Sequence, residues 1–198
     1  MVETRTTLLL RVRDPADSES WREFVFLYEP LLLAYVRRRG LLEHDAQDVV
    51  QEVFATLVRA LPDFQLDRQR GRFRTWLWRV AHNAMVDWAR RRGRRAAAEQ
   101  EARKEAEVAV GPETDALEAE WLAAHRRRVL EVVLQRVRSQ SQEKSWNCFE
   151  LHILQGRPSA EVARELGITA NSVYVNASRV LARVREQCAD YDEDLAED

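Results

Sequence analysis

Three groups of side chains in this 198-residue sequence have the types and spacing to bind a partner rather than to carry out a reaction. The first lies between Arg68 and Arg95, where ten arginines stand against one acid, Asp87, with tryptophans interleaved. Cationic side chains mixed with aromatic rings suit a nucleic acid strand, whose phosphates the arginines meet and whose bases stack on rings. Trp76 and Trp88 fall on an apolar stripe with Phe73, Leu77, Val80 and Ala84, and read as core. Trp78 lies off that stripe and is expected to be exposed for stacking. Asn83 stands within one or two helical turns of Arg79, Asp87 and Arg90, a polar strip able to face base edges. His82 reads as a surface histidine.

The second group is a short helix, a tight turn and a longer helix between Ser159 and Val184. Ser159 can cap the first helix. Ala163 is small where a second helix must cross, Gly167 supplies a positive φ, Ile168 fills the angle and Thr169 caps the next helix. The second helix should bury Val173, Ala177, Val180 and Val184, spaced 4, 3 and 4. Its other face then shows Asn171, Ser172, Tyr174, Asn176 and Arg179. Short polar groups and an arginine near a helix N-terminus are what major-groove readout uses.

The third group is an acidic stripe, Asp45, Asp48 and Glu52, with Gln51 and Thr56 beside it. Such a stripe is either a solvated helix face or a set of carboxylates for arginines of a partner protein. Spacing alone favours the first.

The elements that position these groups are helical throughout. Gly and Pro are scarce, at 6 and 5, and apolar residues recur at helical spacing. A capping box Ser20/Glu23 opens one helix along Trp21, Phe24, Val25, Tyr28, Leu31, Leu32 and Tyr35, which Pro30 should kink or split. A helix over about Glu43–Leu61 should bury Ala46, Val49, Val50, Val53, Leu57 and Leu61, and Pro62 ends it. A polar loop, Asp63–Gly71, leads to a helix from Phe73 to about Arg92. Periodicity fails from Gly93 to about Asp115 and returns over Leu117–Val137 and Trp146–Gln155, with Gly156 as helix terminator. The expected fold is all-α, with two small helical domains, 1–92 and 117–188, joined by a flexible linker, 93–116. Residues 189–198 form an acidic tail, expected to be disordered.

Composition excludes other classes. Lys+Arg total 31 and Asp+Glu 33, so the net charge of −2 conceals the local basic segment. No run approaches the roughly 18 apolar residues of a membrane span, which points to a cytoplasmic chain. Two cysteines, Cys148 and Cys188, make neither a disulfide framework nor a zinc pattern. Cys148 and His152 share a helix face, where packing is the favoured role over metal ligation. There is no nucleophile–base pair, phosphate loop or carboxylate metal cluster, so neither catalysis nor a cofactor or metal is expected.

Asp45-Ala-Gln-Asp-Val-Val-Gln-Glu-Val-Phe54, Phe73-Arg-Thr-Trp-Leu-Trp-Arg-Val-Ala-His-Asn-Ala-Met-Val-Asp87 and the C-terminal helix-turn-helix, in this order, resemble a bacterial RNA polymerase sigma factor. The resemblance is to the extracytoplasmic-function (ECF) group, which keeps conserved regions 2 and 4. It implies that Asp45, Asp48, Gln51, Glu52 and Phe54 bind the clamp of the polymerase largest subunit, overturning the solvated-face reading. It implies that Arg74, Trp78, Asn83, Asp87 and Arg90 recognise and melt the −10 promoter element, and that the loop Asp63–Gly71 captures a flipped base. The helix-turn-helix would read the −35 element through Asn171, Ser172, Tyr174, Asn176 and Arg179. The implied partners are core RNA polymerase, through its clamp and the flap of its second subunit, promoter DNA and an anti-sigma protein.

Positions Tyr174 and Asn176 often hold basic residues in that family, so the −35 helix here is poor in charge. Two other readings stand beside this one. A free-standing helix-turn-helix regulator leaves the Trp/Arg helix unexplained, and a scaffold binding only proteins leaves the helix-turn-helix without a role.

Overall fold

In the computed structural model the described residues are 8–64, 73–99 and 113–191, with backbone alone for 94–99 and 113–114. Among them there are eight α-helices, one π-helical segment and no strand, the all-α class expected. The chain divides into two compact units, Leu8–Arg128 and Val129 onward. The loop 65–72, the linker residues 100–112 and the tail from 192 lie outside the described residues.

The first unit contains α1 (Leu8–Arg11), α2 (Ser18–Arg37), α3 (Glu43–Ala60), α4 (Phe73–Glu99) and the first part of α5 (Glu113–Ser139). Helix α2 begins earlier than the Ser20/Glu23 box predicts. Asp17 is the N-cap and accepts from both the amide and the hydroxyl of Ser20, at 2.9 and 2.6 Å. Those bonds hold the Asp17 carboxyl below its usual range. Glu23 turns instead to Arg11, at 3.0 Å. Pro30 does not split α2, which runs on to Arg37 with Pro30 on its exposed side. A proline on the solvent side removes one helix bond where water can satisfy the freed carbonyl.

The α3 stripe is as expected, with Ala46, Val49, Val50, Val53 and Leu57 all buried and Leu61 buried just past the helix end. An aromatic cluster joins α2 to α4, with Phe24 4.5 Å from Tyr28 and both rings 5.9 Å from Phe73. Helix α5 closes the unit. Trp121 is 1% exposed and His125 3%, and the His125 Nε2 meets the Tyr28 hydroxyl at 3.2 Å. Arg128 donates to the Phe26 and Leu27 carbonyls.

The second unit contains the rest of α5, α6 (Glu143–Phe149), a π-helical turn (Glu150–Leu154), α7 (Ser159–Leu166) and α8 (Ala170–Ala189). Gly156 follows the π-turn with φ +69°, the terminator conformation expected of it. Trp146, Cys148 and Phe149 of α6 pack against α8.

Candidate nucleic-acid interface

The α3 face differs from a plain acidic stripe. Asp45 was expected to point outward, yet it is 7% exposed, and Arg92 of α4 donates to its carboxylate at 2.6 Å. Glu52 accepts from one Arg91 nitrogen at both oxygens, 2.8 and 2.6 Å. Two consecutive α4 arginines, counted in sequence with the nucleic-acid strip, thus neutralise the ends of the stripe. Asp48 and Gln51 are exposed between them, in a groove whose other wall is Trp88, Arg91 and Arg92. Phe54 is half-buried, its ring centroid 6.4 Å from that of Phe24 with the planes 78° apart. Between the two ion pairs the face leaves Asp48 and Gln51 exposed.

On α4 the buried stripe is rotated from the expected one. Phe73, Leu77, Trp78, Ala81 and Met85 are buried, whereas Trp76, Val80, Ala84 and Trp88 are half-buried. Trp78, at 3% exposed, therefore does not present its ring for stacking. It is the floor on which the His82 ring lies, with centroids 5.4 Å apart and planes 28° from parallel. His82 Nδ1 shares a hydrogen bond with the Tyr35 hydroxyl at 3.2 Å, and the Arg39 guanidinium covers the Tyr35 ring at 3.6 Å. Burial, with the Arg39 charge adding to it, pushes the His82 pKa below its usual 6.5. Burial raises the Tyr35 phenol above its usual range, against the pull of Arg39. His82 is thus a neutral, fixed ring rather than the free surface histidine expected.

Above this floor Arg79, Asn83, Val86, Asp87 and Arg90 line a groove with Trp78 and His82. Asn83, Asp87 and Arg90 are exposed as expected, and Arg90 lies 3.8 Å from Asp87. Arg74 sits one turn before the groove, half-buried, and its carbonyl accepts from the Trp121 indole at 2.9 Å. The arrangement combines amide, carboxylate and guanidinium over an aromatic floor, a surface suited to hydrogen-bonding base edges.

In the second unit α7 and α8 form the helix-turn-helix. Gly167 has φ +63° and its amide bonds the Ala163 carbonyl, where a non-glycine residue would be strained. Pro158, not Ser159, occupies the N-cap of α7, while Thr169 caps α8 through the Ser172 amide at 3.1 Å. Val173, Ala177, Val180 and Val184 are buried as the 4, 3, 4 spacing requires. The expected reading face is only partly realised. Asn171, Tyr174 and Arg179 are exposed, but Ser172 is half-buried, its hydroxyl 2.8 Å from Thr169. Asn176 is half-buried and accepts from Ser145 of α6 at 3.3 Å. Val175, 39% exposed, and Ser178 also stand on this outward face. At about 100° per residue Val175 lies almost opposite the buried stripe, and that spacing was the signal that locates it.

Cys148 is buried, and burial raises its thiol pKa. His152 donates from Nδ1 to the Arg157 carbonyl at 2.7 Å, and the two side chains serve packing and the helix end. Among the described residues no helix is long and apolar enough to cross a membrane.

Residues 24–95, which carry α3 and the α4 groove, match the sigma-70 region 2 family. The chain is 32% identical over 151 residues to the RNA polymerase sigma factor CnrH of Cupriavidus metallidurans, 75% of each chain. It is 33% identical over 91 residues to the ECF RNA polymerase sigma factor SigE of Mycolicibacterium smegmatis. That match covers 46% of this chain and 34% of SigE, so the chain spans about a third of that relative's length. The chain belongs to the sigma-70 family of RNA polymerase sigma factors, in its ECF group.

Proposed function

We propose that the chain is a transcription initiation factor that docks on core RNA polymerase and directs it to promoters. Helix α3 meets the polymerase clamp through Asp48 and Gln51, with Glu52 at the rim and Phe54 bracing the helix against α2. Asp45 acts from inside, tying α3 to α4. The α4 groove, with Arg74, Asn83, Asp87 and Arg90, holds the −10 element, and Trp78 supports its floor beneath His82. The helix-turn-helix reads the −35 element as duplex, meeting the polymerase flap and leaving room for control by an anti-sigma protein. The α4 groove and the helix-turn-helix lie on different compact units, Leu8–Arg128 and Val129 onward. No catalytic role is assigned to the chain; bond formation stays with the polymerase.

The observation that carries this reading is the shared location of the exposed α3 acid and the polar α4 groove within the residues that match region 2. Strand separation draws on contacts worth about 1–3 kcal/mol per stacked or hydrogen-bonded base, which help only in sum with polymerase contacts.

Run-off transcription with bacterial core polymerase on a pooled promoter library tests it. The wild-type chain should give specific transcripts, and the double variant Asp48→Arg, Glu52→Arg should give none while remaining folded. Transcripts insensitive to the double variant would remove α3 as the docking face. Absence of transcripts together with polymerase-independent duplex binding would replace the reading with a free-standing regulator.

A further inference from the structure

We propose that α8 reads its duplex through thymine methyl groups, with Tyr174 and Val175 as the specificity-determining residues. The inference rests on the reading of the helix-turn-helix as a duplex binder and goes on to say which chemistry it recognises. The outward face of α8 has an apolar centre. Val175 is 39% exposed nearly opposite the buried stripe, and Tyr174, 52% exposed, stands on its flank. The Tyr174 ring is held in place, meeting the His152 ring edge-on at 4.9 Å with planes at 90°. His152 is in turn fixed by its bond to the Arg157 carbonyl. An exposed aromatic ring braced in this way has little rotamer freedom left to lose on binding.

Polar readout from this face is narrow. Ser172 and Asn176 are engaged inside the protein by Thr169 and Ser145, and Arg179 is the one cation between Ala170 and Arg179. What remains beside the two apolar groups is Asn171 and Ser178. In the major groove the feature that an apolar side chain can select is the thymine C5-methyl, and the base that an asparagine pairs with in bidentate fashion is adenine. Both chemistries converge on A·T pairs.

The test uses the full chain assembled with bacterial core polymerase. Holoenzyme is used to select from linear duplexes randomised in an upstream block, and the best recovered duplex is resynthesised with deoxyuridine replacing thymidine in that block alone. Uracil keeps every hydrogen-bonding group and lacks only the methyl. The expected result is an A·T-rich block whose binding weakens about fourfold for each contacted methyl removed, the ratio that corresponds to about 0.8 kcal/mol per buried methylene. The double variant Tyr174→Ala, Val175→Ala should bring the thymine-to-uracil ratio to about one, and Tyr174→Phe should keep it. An enriched block bound equally well with uracil overturns the methyl readout and leaves duplex reading intact. No upstream enrichment overturns the duplex reading itself. Loss of polymerase binding by the double variant would make this face a protein contact and overturn the inference.

Discussion

Arg92 and Asp45 are joined across α3 and α4 by a 2.6 Å bond whose acceptor is buried and whose donor is largely exposed. Two turns further along α3, Arg91 grips Glu52 with both partners in solvent. Two adjacent arginines therefore make contacts of similar geometry and different environment. Arg92→Ala should lower stability by about 1–3 kcal/mol, since it leaves a buried carboxylate without its main donor. Arg91→Ala should cost less than about 1 kcal/mol, because exposed pairs are screened by water and salt. Urea unfolding of the two variants checks the contrast, and equal losses would show that burial of Asp45 does not set the difference.

The neutral His82 makes part of the first unit's stability depend on pH. Its folded pKa lies below the 6.5 of a free imidazole, so the unfolded chain binds this proton more readily than the folded one. The stabilisation is full above about pH 6.5, declines as the pH falls toward the folded value and levels off beneath it. His82→Gln should flatten this portion of the profile. Comparing urea midpoints at pH 7.5 and 5.5 for wild type and variant isolates His82 from the other three histidines, and a parallel decline in both proteins would refute its role.

Trp121 is buried with an indole bond to the Arg74 carbonyl and an edge contact to Tyr35 at 5.4 Å. Trp121→Ala should cost about 3–5 kcal/mol, the range for removing a large buried aromatic. Trp121→Phe restores most of the packing and gives up the bond, so its loss should fall nearer 1 kcal/mol above the packing change. Thermal unfolding of the full chain followed by circular dichroism measures both. Similar losses for the two would show that the bond, not the burial, dominates.

Where one periodic pattern offered itself, as in α3 and α8, the buried positions were legible from spacing alone. Helix α4 offered two. A stripe through Trp76 and Trp88 collects more apolar area than one through Ala81, and residue size favours it. The helix instead turns Ala81 inward with Trp78 beside it, a choice made by the neighbouring helices and invisible within the α4 sequence. The same limit applies to Asp45, whose burial depends on Arg92, 47 positions away. Local caps were legible when one residue competed, as at Thr169, and misplaced when Asp17 and Ser20 were both available. On α8 polarity marks out a face that lacks Val175, although the helical spacing places it outward. Chemistry-based choice and geometry-based choice diverge where an apolar side chain is exposed.

The pairing of Trp121 with Arg74, and of His125 with Tyr28, gives the region 2 fold a component encoded after the linker. The stretch that binds and the stretch that folds therefore have different borders. A hybrid factor assembled by exchanging segments between relatives at the linker would receive a region 2 whose Tyr28 and Tyr35 meet another protein's α5. Robustness of the hybrid would depend on whether the incoming segment brings a tryptophan and a histidine to those two sockets. Compatibility at 121 and 125 is then a folding requirement that a crossover at the linker has to meet.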